Sequence, residues 1–250
     1  MTDRPDYLNA ARMAFGFLTV LPVPQKKEWS DTDFGRSALF YPLTGALIGL
    51  GAAGSFRLLS AVFERPVAAF LTLIVWILLS GGLHWDGLAD CFDGFGCSAD
   101  PKRRLEIMKD PRLGTYGALG IFCSLILKWL CLWNLPDGRN ILILFPLFGA
   151  SARWAMLFLL RRTLANPNGL AAMLKNHCPK RIAFYAAPLP LLLAAAYGKT
   201  GFLFLILNLV LTELLGLTAQ KKIGGINGDV LGFSIELAEI VLLLSALVIP

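Results

Sequence analysis

Long apolar runs divide this chain of 250 residues and restrict it to one class of fold. A membrane-spanning helix needs roughly 20 apolar residues. Seven segments approach that length: residues 38–62, 67–83, 114–135, 141–160, 182–197, 201–217 and 230–249. Charged residues make up only 16% of the chain, whereas soluble domains average about 25%. The sequence therefore predicts one all-α polytopic membrane domain over residues 1–250, with about seven transmembrane helices.

Two further features refine this fold. The first apolar stretch, residues 7–21, contains Arg12 and stops at Pro22, so we expect an additional interfacial or re-entrant segment there and no span. Small residues allow helix backbones to approach closely within a membrane. The first span contains three such residues, Gly45, Gly49 and Gly54, so we expect another helix to pack closely against it.

Cations are distributed unevenly among the loops. Seventeen of the 23 Lys and Arg residues fall in the N-terminal segment and in loops 84–112, 161–181 and 218–229. Cytoplasmic loops accumulate Lys and Arg, so we expect these loops inside, the C-terminus outside, and a multi-pass protein of the cytoplasmic (inner) membrane. The same rule accounts for the net charge of +6, and no soluble basic face indicates nucleic acid as a partner.

The number and spacing of the cysteines support neither of two common cysteine sites. There are five of them, an odd number, and no Cys-x-x-Cys pair occurs. The sequence therefore favours neither a disulfide framework nor a zinc knuckle.

The strongest chemical signal is a run of three aspartates, Asp86, Asp90 and Asp93. Their spacing of i, i+4 and i+7 places all three on one face of a helix. Carboxylates so close repel one another unless a cation lies between them, and Mg²⁺ prefers such oxygen ligands and retains positions for substrate phosphates. The alternative is a solvated, charged helix face. His84 points about 160° away from Asp86 on that helix, which indicates a substrate contact or a hydrogen bond at the helix entry.

A second candidate segment follows these aspartates. Asp100 and Pro101 are typical of an N-cap and a first helical residue, so residues 101–110 predict a short cytoplasmic helix rich in cations. Such a helix either lies on anionic lipid or binds phosphate. Lys109 and Arg112, beside the next span, are the better phosphate candidates.

A glycine-rich turn, residues 224–228, precedes Asp229 and the last span. A turn of this kind at a helix N-terminus offers free N–H groups to an anion, although Asp229 alone could be an N-cap. Glu236 and Glu239 share its helix face, which predicts a second acidic patch opposite the first.

Ionisable residues within spans are costly and usually mark a functional interior. Glu213, Glu236, Glu239 and Arg153 lie toward the cytoplasmic halves of their spans, which predicts a polar pocket open to the cytoplasm. Lys128 lies toward the outer end, where it could snorkel to the surface.

The segment 81–120 resembles the cobalamin-5′-phosphate synthase family, also called adenosylcobinamide-GDP ribazoletransferases. The motif is Gly-Gly-Leu-His-x-Asp-Gly-Leu-Ala-Asp-x-x-Asp-Gly, followed by Glu-Ile-Met-Lys-Asp and Gly-Thr-Tyr-Gly-Ala-Leu. Phe17-Leu18-Thr19, Tyr41-Pro42-Leu43 and the C-terminal Gly-Gly-x-x-Gly-Asp are also similar to that family. Trp85 stands where a smaller aliphatic residue is expected, and Asn227 where Thr is usual.

The resemblance implies a Mg²⁺-dependent transferase. Such an enzyme joins adenosylcobinamide-GDP to α-ribazole or its 5′-phosphate and releases GMP, through attack of a ribose hydroxyl on a phosphorus of the diphosphate. Membrane lipid is a further expected partner, and a homo-oligomer is left open. The expected catalytic residues are Asp86, Asp90 and Asp93, the last as a metal ligand or as general base. The expected metal ligands are Asp86, Asp90, Asp93, Asp229, Glu236 and Glu239. The expected substrate-binding residues are His84, Lys109, Arg112, Arg153, Asn227 and Gly228.

Three alternatives remain open. A CDP-alcohol-type headgroup phosphotransferase also uses closely spaced membrane aspartates, but here Asp90 replaces the Arg of that motif and its second half is missing. An ion- or proton-coupled transporter could use Glu213, Glu236, Glu239 and Arg153 as a relay, but no inverted repeat is visible. A non-catalytic assembly subunit would leave the aspartate spacing without a purpose.

Overall fold

The computed structural model describes residues 6–24 and 30–249, and most of this part of the chain is helical. In chain order the helices are α1 (Tyr7–Leu18), α2 (Asp31–Ser37), α3 (Tyr41–Leu59), α4 (Arg65–Leu79), α5 (Leu83–Gly96), α6 (Pro101–Ile107), α7 (Thr115–Trp133), α8 (Ile141–Met156), α9 (Leu170–His177), α10 (Ile182–Tyr185), α11 (Pro188–Tyr197), α12 (Lys199–Ile223) and α13 (Gly228–Val248). Short 3₁₀ turns, Ala38–Phe40 and Leu157–Arg161, join α2 to α3 and extend α8. The predicted all-α membrane class is confirmed.

The number of spans differs from the prediction. Among the described residues, five helical stretches are long and apolar enough to cross a membrane: residues 31–59, α7, α8 with its 3₁₀ extension, α12 and α13. A sixth is available if α4 and α5 count as one span, although they meet at an angle of 95°. Pro188 and Pro190 confine α11 to ten residues after the single turn of α10, since proline ends a helix that would otherwise continue. The predicted count of about seven spans is therefore not confirmed, because segments 67–83 and 182–197 do not each form one long helix.

The N-terminal segment forms α1, and its 12 residues extend about 18 Å, too short to cross a bilayer. This helix packs on α2 through the rings of Phe17 and Phe34, whose centroids are 5.6 Å apart. Asn9 also donates a hydrogen bond of 2.8 Å to Asp33. The expectation of a non-spanning segment is consistent with this arrangement.

The connecting loops gather at two ends of the helix bundle. At one end, Lys222 donates to the carbonyl of Phe95 at 2.9 Å, and the Ile226 N–H donates to Thr163. At the other end, Arg65 pairs with Asp137 at 2.7 Å. This separation matches the two groups of loops distinguished by their charge. Three cations in the first group, Arg4, Lys26 and Lys27, lie outside the described residues.

Glycine allows a close crossing of two helices in the bundle. A Cβ on Gly45 would lie 2.0 Å from the carbonyl oxygen of Gly149, and one on Gly49 would lie 2.2 Å from that of Phe145. The backbones of α3 and α8 therefore touch, as predicted for these two positions. Gly54 has no atom within 4 Å of its Cβ position, so it takes no part in the contact. All five cysteines are free.

Candidate active site

The helix that carries the three aspartates turns sharply away from its predecessor. Gly81 and Gly82 have φ angles of 63° and 68°, a region that favours glycine because it has no Cβ. These residues lie at the 95° bend between α4 and α5. Asp86 on α5 is exposed, while Asp90 and Asp93 are half-buried. The predicted helical spacing of the aspartates is confirmed.

A backbone contact brings α5 against the start of α13. A Cβ on Gly87 would lie 2.8 Å from the carbonyl oxygen of Asp229, and one on Gly232 would lie 3.4 Å from the Cα of His84. Because no side chain separates the helices here, Asp229 lies beside the turn of α5 that carries Asp86 and Asp90. We call Asp86, Asp90 and Asp229 the acidic cluster.

The turn before α13 fixes the position of Asp229. Asn227 is the N-cap of α13, since its side-chain oxygen accepts a hydrogen bond of 3.0 Å from the Val230 N–H. Its amide nitrogen donates to the carboxylate of Asp229 at 2.7 Å. Ile226 is joined to Leu164 in an isolated parallel bridge. Asp229 is therefore not the N-cap, and Asn227 supplies the capping oxygen that the family's Thr would also provide.

Asp90 and Asp229 of the acidic cluster are partly buried, and the carboxylates of the cluster repel one another. Asp90 experiences the negative charges of Asp229, Asp86 and Asp93, and Asp229 experiences that of Asp86. Among residues 6–24 and 30–249, neither Asp86 nor Asp90 has a hydrogen-bond or ion-pair partner. In the same part of the chain no three His, Cys, Asp or Glu side chains already converge at the distances of metal ligands. The cluster thus holds uncompensated negative charge.

Asp93 differs from the acidic cluster in its neighbours. Its two carboxylate oxygens accept hydrogen bonds of 2.9 Å from the Gly114 N–H and 2.8 Å from the Gly117 N–H. These N–H groups lie at the start of α7, where a carboxylate compensates both the unpaired donors and the helix dipole. A Cβ on Gly117 would lie 2.4 Å from this carboxylate. Asp93 therefore fastens α7 to α5.

The three predicted phosphate-binding cations have separate positions. Lys109 is exposed and lines a cavity next to Asp229. Arg112 instead binds Asp110 with two nitrogen–oxygen distances of 2.6 and 2.9 Å, and this guanidinium lowers the pKa of Asp110 to about 2. Arg153 is fully buried and pairs with Glu239, so this position does not favour its predicted role of offsetting phosphate charge, which stays a prediction.

A buried ion network replaces the predicted second acidic patch. The ammonium of Lys128 lies 2.5 Å from Glu236 and 2.7 Å from Glu239, and Glu239 also accepts from Arg153. All four side chains are at most 2% exposed. The ammonium also lies 5.2 Å from the ring centroid of Trp85, an attractive cation–π distance.

This network corrects three predictions. Lys128 does not snorkel, because its charge is neutralised inside the bundle. Glu236 and Glu239 face cations and do not extend the acidic cluster, which leaves them poor candidates for metal ligands. Glu213, predicted in a functional interior, instead pairs with Arg161 and Arg162, and its side chain is 45% exposed.

Two cavities flank Asp229 and Gly228. The apolar cavity has a volume of about 200 Å³, and its lining includes Phe17, Phe34, Tyr41, Leu174 and Ile235, with His84, Asp86 and Asp229 as its polar members. The polar cavity has a volume of about 280 Å³, and its lining includes Leu105, Lys109, Asn166, Asn168 and Asn227. Predicted residues His84, Lys109, Asn227 and Gly228 thus lie together around the acidic cluster.

Sequence reasoning missed the two cations that hold the end of α5. Arg104 is buried and donates to the carbonyls of Gly94 at 2.7 Å and Phe95 at 3.0 Å. Lys222 donates to the same Phe95 carbonyl. Cations are favourable at a helix C-terminus, where carbonyls are unpaired. The spacing of ten residues between Arg104 and Gly94 was the only signal, and it is not a recognisable motif.

The fold and the site together define a class. Large apolar side chains such as Phe122 and Ile206 are more than half exposed on helices long enough to span a bilayer, while carboxylates gather at one end. The molecule is a multi-pass membrane protein with an acidic site next to two cavities that share Asp229. It belongs to the cobalamin-5-phosphate synthase family, whose model matches residues 10–248. The chain is therefore a transferase of cobalamin biosynthesis, as the sequence resemblance predicted.

Similar proteins named adenosylcobinamide-GDP ribazoletransferase occur in several bacteria. One from Acinetobacter baumannii is 36% identical over 242 residues, which cover 94% of this chain and 96% of that protein. One from Pseudomonas paraeruginosa is 37% identical over 240 residues, with coverages of 95% and 97%. One from Escherichia coli is 34% identical over 239 residues, with coverages of 92% and 96%. No solved structure matches the chain.

Proposed function

We propose that this protein transfers the cobinamide-phosphate moiety of adenosylcobinamide-GDP to α-ribazole or its 5′-phosphate and releases GMP. The names of its relatives support the substrates. The observation that carries the proposal is the acidic cluster of Asp86, Asp90 and Asp229, in which Asp86 lines an apolar cavity and Asp229 lines both this cavity and a polar one. A bisubstrate reaction needs two adjoining sites that meet at the reacting phosphate, and two cavities that share Asp229 support such an arrangement.

Mg²⁺ is the cofactor that the donor set suits. The cluster offers hard carboxylate oxygens, its charges repel, and Mg²⁺ usually needs only one or two carboxylates because substrate phosphates and water complete its shell. The incomplete convergence of the three side chains is therefore no obstacle. Asp90 and Asp229 would hold the ion, which when bound supplies charge neutralisation at the diphosphate.

We assign the other roles in the reaction to individual residues of the chain. A ribose hydroxyl of the acceptor forms a bond to the phosphorus of the cobinamide phosphate, and the bond from that phosphorus to GMP breaks. We assign Asp86, the most exposed carboxylate of the cluster, to accept the hydroxyl proton. Lys109 at the edge of the polar cavity attracts the donor phosphates. Asp93 positions α7, because both of its oxygens already accept backbone hydrogen bonds.

The membrane placement is also a proposal. We infer that the acidic cluster faces the cytoplasm from an inner membrane, since the cation-rich loops lie at its end of the bundle and cytoplasmic loops carry an excess of Lys and Arg. Lipid then surrounds the exposed apolar faces of α7 and α12.

The test measures GMP release by the detergent-purified protein from adenosylcobinamide-GDP with α-ribazole or its 5′-phosphate, with Mg²⁺ or with a chelator. We expect release with Mg²⁺, none with chelator, and a loss of roughly a hundredfold or more in Asp90→Asn, the order reported for losing one electrostatic contact to a transition state. Release of CMP from a CDP-alcohol in place of GMP would refute the proposal and favour a headgroup phosphotransferase.

A further inference from the structure

His84 is a buried histidine without a partner, and it opens onto the apolar cavity. Its side chain is only 4% exposed. Within the described part of the chain neither ring nitrogen has a hydrogen-bond partner, and Nδ1 lies 3.9 Å from the nearest oxygen of Glu236, beyond hydrogen-bond distance. Leaving a buried polar group unpaired is unfavourable, because the hydrogen bonds it would make with water are lost and not replaced. Such a group is therefore explained well by a ligand that pairs with it.

The rest of the apolar cavity favours a flat, apolar ligand. Phe17, Phe34, Leu174 and Ile235 supply aromatic and aliphatic walls. The volume of about 200 Å³ exceeds the roughly 150 Å³ of an apolar cavity that is known to hold benzene. A neutral imidazole offers one N–H donor and one acceptor, so His84 can recognise a single ring nitrogen in an otherwise apolar ring system.

We propose that the apolar cavity binds the base of the acceptor, with His84 hydrogen-bonded to its ring nitrogen. This inference rests on the proposed function, in which the acceptor is α-ribazole, the riboside of 5,6-dimethylbenzimidazole. That base is a fused, methylated aromatic ring with one free ring nitrogen. No other part of the two substrates combines so much apolar area with a single hydrogen-bond acceptor.

The position of the cavity suits the chemistry of the transfer. Asp86 and Asp229 also line this cavity, so the ribose of a base bound against Leu174 and His84 is within the same cavity as two carboxylates of the acidic cluster. The guanine of the donor carries several polar edge groups and fits the polar cavity better, where Asn166 and Asn168 are available. The two substrates then approach the cluster from opposite sides of Asp229.

The test fills each cavity in turn. Of these two cavities, the apolar one is lined by Leu174 and not Leu105, and the polar one by Leu105 and not Leu174, so Leu174→Trp and Leu105→Trp are a matched pair. Binding of free 5,6-dimethylbenzimidazole to the purified full-length protein is measured by equilibrium dialysis, and KM is measured for each substrate. We expect Leu174→Trp to weaken base binding and raise the acceptor KM by at least about tenfold, the scale of small steric changes in an apolar pocket. Leu105→Trp should retain base binding.

A second pair of variants tests the histidine without filling the cavity. His84→Leu should weaken base binding, and His84→Gln, which keeps an N–H donor, should restore part of it. A donor KM that rises in Leu174→Trp while base binding is unchanged would overturn the inference. So would co-purified phospholipid that Leu174→Trp expels, because the cavity would then hold an acyl chain.

The outcomes separate this inference from the proposed function. Base binding that depends on Leu174 and His84, in a protein that releases no GMP, would refute the transferase proposal and keep the subsite. GMP release by the wild type, with base binding insensitive to both residues, would keep the transferase and refute the subsite.

Discussion

Asp90 and Asp93 are three residues apart on α5, yet their carboxylates have different neighbours. Asp90 is surrounded by other carboxylates, while Asp93 accepts two backbone hydrogen bonds from the start of α7. A charge without a partner is available to ligands, whereas a carboxylate that caps a helix contributes to stability. We therefore expect Asp90 to act in the chemistry and Asp93 to hold the helices together.

The variant Asp93→Asn tests this division. Its amide keeps one accepting oxygen but turns an NH₂ group toward an N–H donor, so one of the two bonds to α7 is lost. We expect a loss of stability of about 1 kcal/mol, the usual size for a helix cap. The measurement is the midpoint of thermal unfolding in detergent, followed by tryptophan fluorescence.

The matched control is Asp86→Asn, because Asp86 is exposed and has no partner among the described residues. Its unfolding midpoint should not fall, although its activity should. If Asp93→Asn unfolds at the wild-type temperature but is inactive, Asp93 acts in the chemistry and the capping assignment is wrong.

Sequence periodicity revealed the aspartates but not their partners. The spacing of Asp86, Asp90 and Asp93 is a local property of one helix, and α5 realises it. The partner of Asp93 is 21 residues away at Gly114, and that of Lys128 is 108 residues away at Glu236. Contacts at such separations depend on tertiary packing, so local patterns could neither assign Asp93 to α7 nor exclude Glu236 from the metal site.

The candidate site is formed where helices α5 and α13 cross. Gly87 allows the backbone of α5 to approach that of Asp229, and this proximity brings Asp86 and Asp90 beside the start of α13. The glycine-rich character of this region was visible in the sequence, but which helix it contacts was not. Gly87 directly follows Asp86 in the family motif. Its contact with the backbone of Asp229 indicates that this glycine is needed for helix packing, in addition to any role in leaving room for a ligand.

Gly87→Ala should separate the two helices. Its Cβ would lie 2.8 Å from a backbone oxygen, a distance that flexible side chains cannot relieve, so α5 must move away from α13. We expect lower stability and strongly reduced GMP release. The comparison is Gly54→Ala in α3, where the Cβ meets no atom within 4 Å.

In Gly54→Ala only the backbone preference changes, and alanine is favoured over glycine within a helix by roughly 0.5–1 kcal/mol. This variant should therefore be as stable as the wild type or more stable, with unchanged turnover. Equal stability and activity of the two variants would mean that the crossing of α5 and α13 is not as close as the structure places it.

The buried ion network connects three helices across the whole molecule. Lys128 comes from α7, Arg153 from α8, and Glu236 and Glu239 from α13. Formal charges balance within the four residues, which is the condition under which buried ions are tolerated. The network therefore joins the helix that Asp93 caps to the helix that carries Asp229.

Lys128→Met should leave two buried carboxylates facing one guanidinium. Removing one partner of a buried ion pair typically costs about 3–5 kcal/mol, because the remaining charge is uncompensated. The double variant Lys128→Met/Glu236→Met restores the charge balance and should recover much of the lost stability. Thermal unfolding of both proteins is the measurement, and a double variant no more stable than Lys128→Met would contradict charge balance as the reason.

The orientation of the molecule follows from where its cations lie. Arg57, Arg65 and Arg139 gather near Asp137 at one end of the bundle, whereas α6 and its cations lie with the acidic cluster at the other. If the cation-rich end is cytoplasmic, as the excess of Lys and Arg predicts, the end with Asp137 faces outward. The side chain of Asp137 is 94% exposed, which makes this position suitable for labelling.

A cysteine at position 137 should react with a membrane-impermeant maleimide in intact cells, in a background where the exposed Cys123 is replaced by serine. A cysteine at Lys102, which is exposed on α6, should react only after the membrane is permeabilised. The reverse pattern would place the acidic cluster outside the cytoplasm, where nucleotide substrates are not supplied, and would refute the proposed orientation. Reaction of both positions in intact cells would mean that the two ends of the bundle are not separated by a bilayer.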